Sequence, residues 1–381
     1  MQSTTFATAV LVTIMSLAAV SNAAGSAYAL SDDLSYKNFF SAMDAYNGSD
    51  PTQGFVQYQS LAQAVDKNLV GYLDDTKSVF MGVDYTSKDP KGRASVRLES
   101  KKTWNQGLLI ADIAHMPAST CGTWPAFWLL GKETWPAGGE IDILEGVNDY
   151  DSNSVTLHTS QGCMISNASA PNPNSGSTEA GASFSGTIGT DNCDVQAPNQ
   201  DKNVGCSIHA PKTAPSPAHI GSSSASSNTN ALLLSSYGTP FNAARGGIYA
   251  LDWTADAISV YFFPYASPLY KTVSKSTSPK PSTWGAPIAR FGAEKCDLKQ
   301  RFKDLRIIFN TTFCGDWAGQ EWEKSCRKKT GAQTCEAYVR DNPGAFAESF
   351  WEVRGLRWYQ QVKGKVAAVA VTPKGRYDRR L

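Results

Sequence analysis

Apolar and polar residues alternate, or apolar residues run together in short blocks, through much of residues 54 to 160. The segments are "GFVQYQ", "SVFMGVDYT", "ASVRLESK", "GLLIADIAH" and "SVTLHTS". Each is rich in β-branched and aromatic residues and is bounded by Gly, Pro, Asp or Ser, which predicts strands. The pattern returns after residue 246 in "GIYALDW", "AISVYFFP", "LRIIFN" and "WEVRGLRWYQQV". Strands at this density with few long helical periods predict an all-β sandwich in one domain rather than alternating βα units. Residues 161 to 245 break the pattern. Their middle, "APKTAPSPAHIGSSSASSNTNA", has the composition of a linker and predicts a surface insertion, because strands resume after it in the same style. Residues 316 to 342 predict a short helix pinned by Cys326 and Cys335.

One predicted strand does not obey the alternation. "GGEIDILEG" places Glu140, Asp142 and Glu145 among aliphatic residues at a spacing of two and then three. In a regular strand Glu140 and Asp142 share a face and Glu145 points away. A β-bulge near Leu144 absorbs one residue and returns Glu145 to that face. The two glutamates are then about four strand steps apart, roughly 13 Å between Cα atoms. Side chains leaning together bring the carboxyls to roughly 5–6 Å, close to the ~5–5.5 Å of a retaining glycosidase. Asp142, shorter and central, can split the proton affinities of its neighbours. Three solvated carboxylates on an exposed strand are the plain alternative. Like charges on one strand face are costly, however, and the flanks carry Trp124, Phe127, Trp128 and Trp135, with His158 on the next predicted strand. Indoles beside paired carboxylates suit a sugar, whose ring faces stack while its hydroxyls seek polar partners. Taken singly, Trp128 and His158 also fit packed core positions.

Composition narrows the partners. The chain of 381 residues is 41% hydrophobic and 18% charged, with a formal net charge of +1, so no global field points to nucleic acid or an anionic membrane. Residues 7 to 20 form an apolar run followed by "SNAA", which predicts a signal peptide over residues 1–23 and a mature β-sandwich domain over 24–381. After cleavage no membrane span is expected. Eight cysteines, an even number, predict disulfides with open connectivity. They lack zinc-site spacing. Sequons at Asn47, Asn167 and Asn310 fit an exported glycoprotein. No G-x-S-x-G elbow or phosphate-binding Gly-rich loop is present, and an even cysteine count in an oxidising setting disfavours a catalytic thiol.

"WNQGLLIADIAHMPASTCGTWPAFWLLG", "WPAGGEIDILEGVN", "VTLHTSQGC" and "FCGDWAG" together resemble the fungal laminarinase-like members of glycoside hydrolase family sixteen. The resemblance covers most of residues 35 to 361. It weakens over about 207–235, where this chain carries a Ser-rich insertion. It implies a concanavalin A-like β-jelly-roll sandwich and a secreted, retaining endo-1,3(4)-β-glucanase without a cofactor. It implies Glu140 as nucleophile, Glu145 as acid/base and Asp142 as the assisting carboxylate. Substrate contacts are implied for Trp128, Trp135 and His158, and Trp284 in "PSTWGAP" is expected to line the cleft. The expected partner is a β-glucan, and the expected state is a monomer. Linkage preference resides in loops and does not transfer. A glucan transglycosylase shares the covalent intermediate, and a glucan-binding lectin shares the sandwich. The glutamate pair argues against the lectin.

Overall fold

The computed structural model describes residues 27–165, 184–212 and 234–362. The predicted signal peptide lies outside them, as does Asn167. Two antiparallel sheets of eight strands face each other. The first runs in the order Ala289–Gly292, Ala257–Pro264, Gly247–Trp253, Gly107–His115, Trp351–Val362, Ser78–Met81 and Val70–Leu73, with Ala27–Asp33 also paired to Trp351–Val362. The second runs Thr187–Thr190, Cys206–His209, Ser154–His158, Glu140–Glu145, Thr123–Gly131, Leu305–Phe313, Arg97–Ser100 and Met43–Ala45. This is the all-β sandwich expected from the alternation and the jelly roll that the resemblance implies. We call the first the support sheet and the second the site sheet. A short parallel pair, Val56–Tyr58 with Arg93–Ser95, accompanies them. Among the described residues no helix is long and apolar enough to cross a membrane.

Period two decides what each face carries. On the acidic strand Ile141, Ile143 and Leu144 are fully buried in the core between the sheets. That core includes Phe127 stacked on Phe309 with ring centroids 4.4 Å apart, and Leu109, Ala111 and Ile113 from the support sheet. Glu140, Asp142 and Glu145 therefore belong to the opposite, outer face of the site sheet. The register carries the expected bulge: Asp142 pairs with Trp128, Leu144 with Phe127 and Glu145 with Ala126, so three steps on one strand match two on the other. The other neighbour agrees, with Asp142 opposite Thr156 and Glu145 opposite Ser154.

The double glycine before the acidic strand has a steric cause. Gly139 has φ 76°, and a Cβ there would lie 2.4 Å from the Arg301 carbonyl oxygen. Thr123–Gly131 is a central strand despite Pro125, which would ordinarily argue against one. The ladder to the acidic strand ends at Ala126, so the missing N–H of Pro125 falls beyond it.

Some expectations shift. "ASVRLESK" divides into Arg93–Ser95 and Arg97–Ser100, which pair in different sheets. The single helix expected in residues 316–342 is two, Cys326–Thr330 and Cys335–Asp341. Their cysteines bond outward, Cys326 to Cys121 and Cys335 to Cys314. The remaining pairs are Cys163–Cys296 and Cys193–Cys206. The insertion expected from about residue 207 begins later, since Cys206–His209 is a strand paired to Ser154–His158; residues 213–233 lie outside the described residues.

Asn310 is not a plausible glycan site in the folded chain. It is 7% exposed, accepts from Trp128 and donates to the Tyr58 hydroxyl. Asn47 is exposed. Production in a glycosylating host should give a glycan on Asn47 and none on Asn310, as read by peptide mass mapping; occupancy at Asn310 in folded protein would contradict the packing.

Candidate active site

Cross-strand rows assemble the site. One row runs Arg306, Leu130, Glu140 and His158; the next runs Ile308, Trp128, Asp142 and Thr156; a third runs Asn310, Ala126, Glu145 and Ser154. Residues directly opposite in neighbouring strands share a face, so these rows place Trp128 and His158 beside the carboxylates. Three of the four implied substrate contacts thus join the acidic residues: Trp128, Trp135 and His158.

Each glutamate is held by a different indole. Trp135 Nε1 donates to Glu140 Oε2 at 2.7 Å, and Trp124 Nε1 donates to Glu145 Oε1 at 2.8 Å. Trp135 is 41% exposed and its ring centroid lies 6.4 Å from that of His158. Between the glutamates, Asp142 is 2% exposed, and its Oδ2 lies 3.2 Å from His158 Nε2. The approach lacks hydrogen-bond alignment.

Burial pushes all three carboxyls up, each to about 8. For Glu140 and Glu145 the next cause is the neighbouring charge of Asp142, partly offset by His158 and by the indole hydrogen bonds. For Asp142 burial is opposed by a hydrogen bond with Glu140. Three like charges this close do not ionise together, so the cluster retains protons near neutral pH. Glu140, Asp142 and His158 each also offer a donor atom within 4.8 Å of the others, a set able to hold a cation. The raised proton affinities oppose that use.

Other side chains of the site were not signalled by the acidic motif. Trp128 Nε1 donates to Asn310 Oδ1 at 2.7 Å, and the Arg97 guanidinium lies 5.0 Å from the Trp128 ring. Trp124 meets Trp317 edge-on at 5.7 Å, and Trp317 meets Tyr150 at 5.9 Å. Asn148, with φ 55°, donates to the Ala318 carbonyl and accepts from Gly122, which ties the "GDWAG" segment to the end of the acidic strand. Trp124 and Trp128 were legible only as aromatic residues flanking the acidic run; Asn310 was hidden inside a sequon.

Trp284 does not line this site. It is 7% exposed and meets Tyr261 and Phe263 edge-on at 5.2 and 5.3 Å. Those residues lie with Leu108, Ile110 and Ile248 on the face of the support sheet turned away from the core. Trp284 is thus on the far side of the sandwich. Its flanking Pro, Ser and Gly gave no strand register from which a face could be read.

A model of the XgeA-like catalytic GH16 domain matches residues 43–226 and 216–359. The chain belongs to this family. Within GH16, the chain is similar to the endo-1,3(4)-β-glucanase of Arthroderma benhamiae, 40% identical over 91% of this chain and 68% of that protein. It is 37% identical to a probable endo-1,3(4)-β-glucanase of Aspergillus niger, over 89% of this chain and 41% of that one. The chain thus spans less than half the length of the latter relative. Among solved structures it is similar to the GH16 Laminarinase 16A of Phanerochaete chrysosporium with β-glucans in donor and acceptor sites (TM-score 0.72, 36% identity, 88% of this chain and 100% of that chain). It is similar also to an elongating GH family 16 β-1,3-glucosyltransferase (TM-score 0.71, 35% identity, 87% of this chain and 100% of that chain). The overlap of the two matched segments at residues 216–226 falls within the expected Ser-rich insertion.

The raised carboxyl proton affinities bear on stability. Between the ordinary carboxylate range and about 8 the folded chain holds protons that the unfolded chain has released. Stability is therefore lost as pH rises through that window. Glu145→Gln removes one such group, so it should melt above the wild type at pH 8, with the difference shrinking toward pH 5. Thermal unfolding across that range checks this; a pH-independent difference would mean that Glu145 is not held protonated.

Proposed function

We propose that this GH16 domain is an endo-acting β-glucanase that cleaves internal β-1,3 links, in glucans that also carry β-1,4 or β-1,6 links, with retention of configuration. The observation that carries the reading is the bulge, which sets Glu140 and Glu145 on one face, each fixed by its own indole. Two carboxylates so placed can divide the work of nucleophile and acid. Glu140 attacks the anomeric carbon of the donor sugar while Glu145 gives its proton to the departing glycosidic oxygen. A glycosyl ester on Glu140 results. Glu145, now a carboxylate, takes a proton from water, and the resulting hydroxyl attacks the anomeric carbon and releases Glu140.

The electrostatics suit that division. Glu140 stands opposite His158 in the register and accepts from Trp135, two influences that partly offset the rise in its proton affinity. Glu145 keeps Oε2 for a proton while Oε1 accepts from Trp124. Asp142 between them disfavours a second charge on either side. Trp128 and Trp135 offer indole faces to sugar rings.

A sugar hydroxyl can replace water in the second step. Similarity to the glucosyltransferase supports this transglycosylation reading. For localisation, the apolar leader and four disulfides favour export through an oxidising compartment.

Glu140→Gln should reduce release of reducing ends from laminarin to background, and Glu145→Gln should lower it by about 10²–10⁴-fold. The first-formed product should be the β-anomer by NMR; an α-anomer would exclude double displacement. Chromatography of products at high laminarin-oligosaccharide concentration decides the second step, since mainly elongated chains would replace the hydrolase reading with the transferase.

A further inference from the structure

A bulge leaves backbone groups without ladder partners, and here those groups flank the acid/base. The register jumps from Asp142 opposite Thr156 to Glu145 opposite Ser154, so the Ile143 carbonyl and the Glu145 amide need another source of hydrogen bonds. One side chain supplies both. Asn153 Nδ2 donates to the Ile143 carbonyl at 2.7 Å, and the Glu145 backbone N–H donates to Asn153 Oδ1 at 2.8 Å. Asn153 is itself fully buried. Its N–H donates to Ser236 Oγ at 3.1 Å and its carbonyl accepts from Ala210 N–H at 2.8 Å. Each backbone and amide function of this residue is thus engaged, and the carboxamide cannot turn over without setting N–H against N–H and C=O against C=O.

We propose that Asn153 is a positioning residue for Glu145: its carboxamide takes the place of the lost ladder bonds and fixes the bulge that aims the acid/base carboxyl. The inference rests on the reading of Glu145 as acid/base. Asn153 touches no substrate; it acts through the backbone amide of the residue that donates the proton. Once ionised, aspartate could still accept from the Glu145 N–H but could not donate to Ile143, and it would add a negative charge close to Glu145. Alanine would provide neither bond.

The chemistry offers a selective test, because a glycoside with a strongly acidic phenol as leaving group departs without a proton. The full chain and its N153A, N153D and E145A variants are compared by kcat/KM on laminarin and on a 2,4-dinitrophenyl β-laminaribioside. E145A should lose about 10²–10⁴-fold on laminarin and far less on the dinitrophenyl glycoside, the mark of a missing acid. N153A should show the same selectivity with a smaller loss, about 10-fold or more on laminarin and under about threefold on the activated glycoside. N153D, which serves alone where N153A does not fold, should show this selectivity and also move the alkaline limb of the laminarin pH profile upward, since the added charge favours the protonated form of Glu145. Equal losses on both substrates in N153A or N153D, or an unmoved alkaline limb in N153D, would reduce Asn153 to a general packing role and overturn the proposal. Absence of selectivity in E145A would instead overturn the acid/base reading itself.

Discussion

A β-strand offers two faces, and the acidic strand must serve a different solvent on each. Toward the core it buries Ile141, Ile143 and Leu144 completely; toward the outside it gathers three carboxylates. Strict alternation cannot place two consecutive aliphatics inward and keep Glu145 outward. The extra residue resolves the conflict locally, at the cost of unpaired backbone groups. The hydrogen bonds of Asn153 follow from that one irregularity.

The site then grows outward from the bulge. Neighbouring strands deliver Trp128 and His158 by register, whereas Trp135 arrives from the turn before the strand and Trp317 from the segment after Cys314. The turn and the segment need anchors that sheet pairing does not provide. Cys314–Cys335 and Cys121–Cys326 fix the helical segment beside Trp317, and Asn148 bridges it to the acidic strand. Covalent links of this kind act mainly by restricting the unfolded chain, which matters most where a loop has little core of its own.

Much of this was legible before any coordinates. The spacing of Glu140, Asp142 and Glu145 pointed to a bulge because no regular element puts three such residues on one face, and the strands with clear period two were visible for the same reason. What stayed hidden has physical causes. Edge strands of three or four residues, such as Met43–Ala45 and Thr187–Thr190, are too short to show a period. Pro125 disguised a central strand. An aromatic residue packs equally well on either face of a sheet, so Trp284 could be placed only by its neighbours, and they put it behind the support sheet. Asn153 carries no pattern at all, since its role is to complete a backbone defect on another strand. Cysteine pairing likewise depends on distances between segments far apart in sequence.

Trp135 stands apart from the other anchors because it is exposed while bonded to a half-buried carboxyl. Any ring that stacks on this indole displaces the water on that side and lowers the local dielectric around Glu140. The bond from Nε1 to Glu140 strengthens as its surroundings dry, while the carboxylate loses its remaining hydration. Under the proposed mechanism, occupancy of the site and the reactivity of Glu140 are consequently one variable: a sugar ring stacked there supplies part of the medium in which its own link is cut.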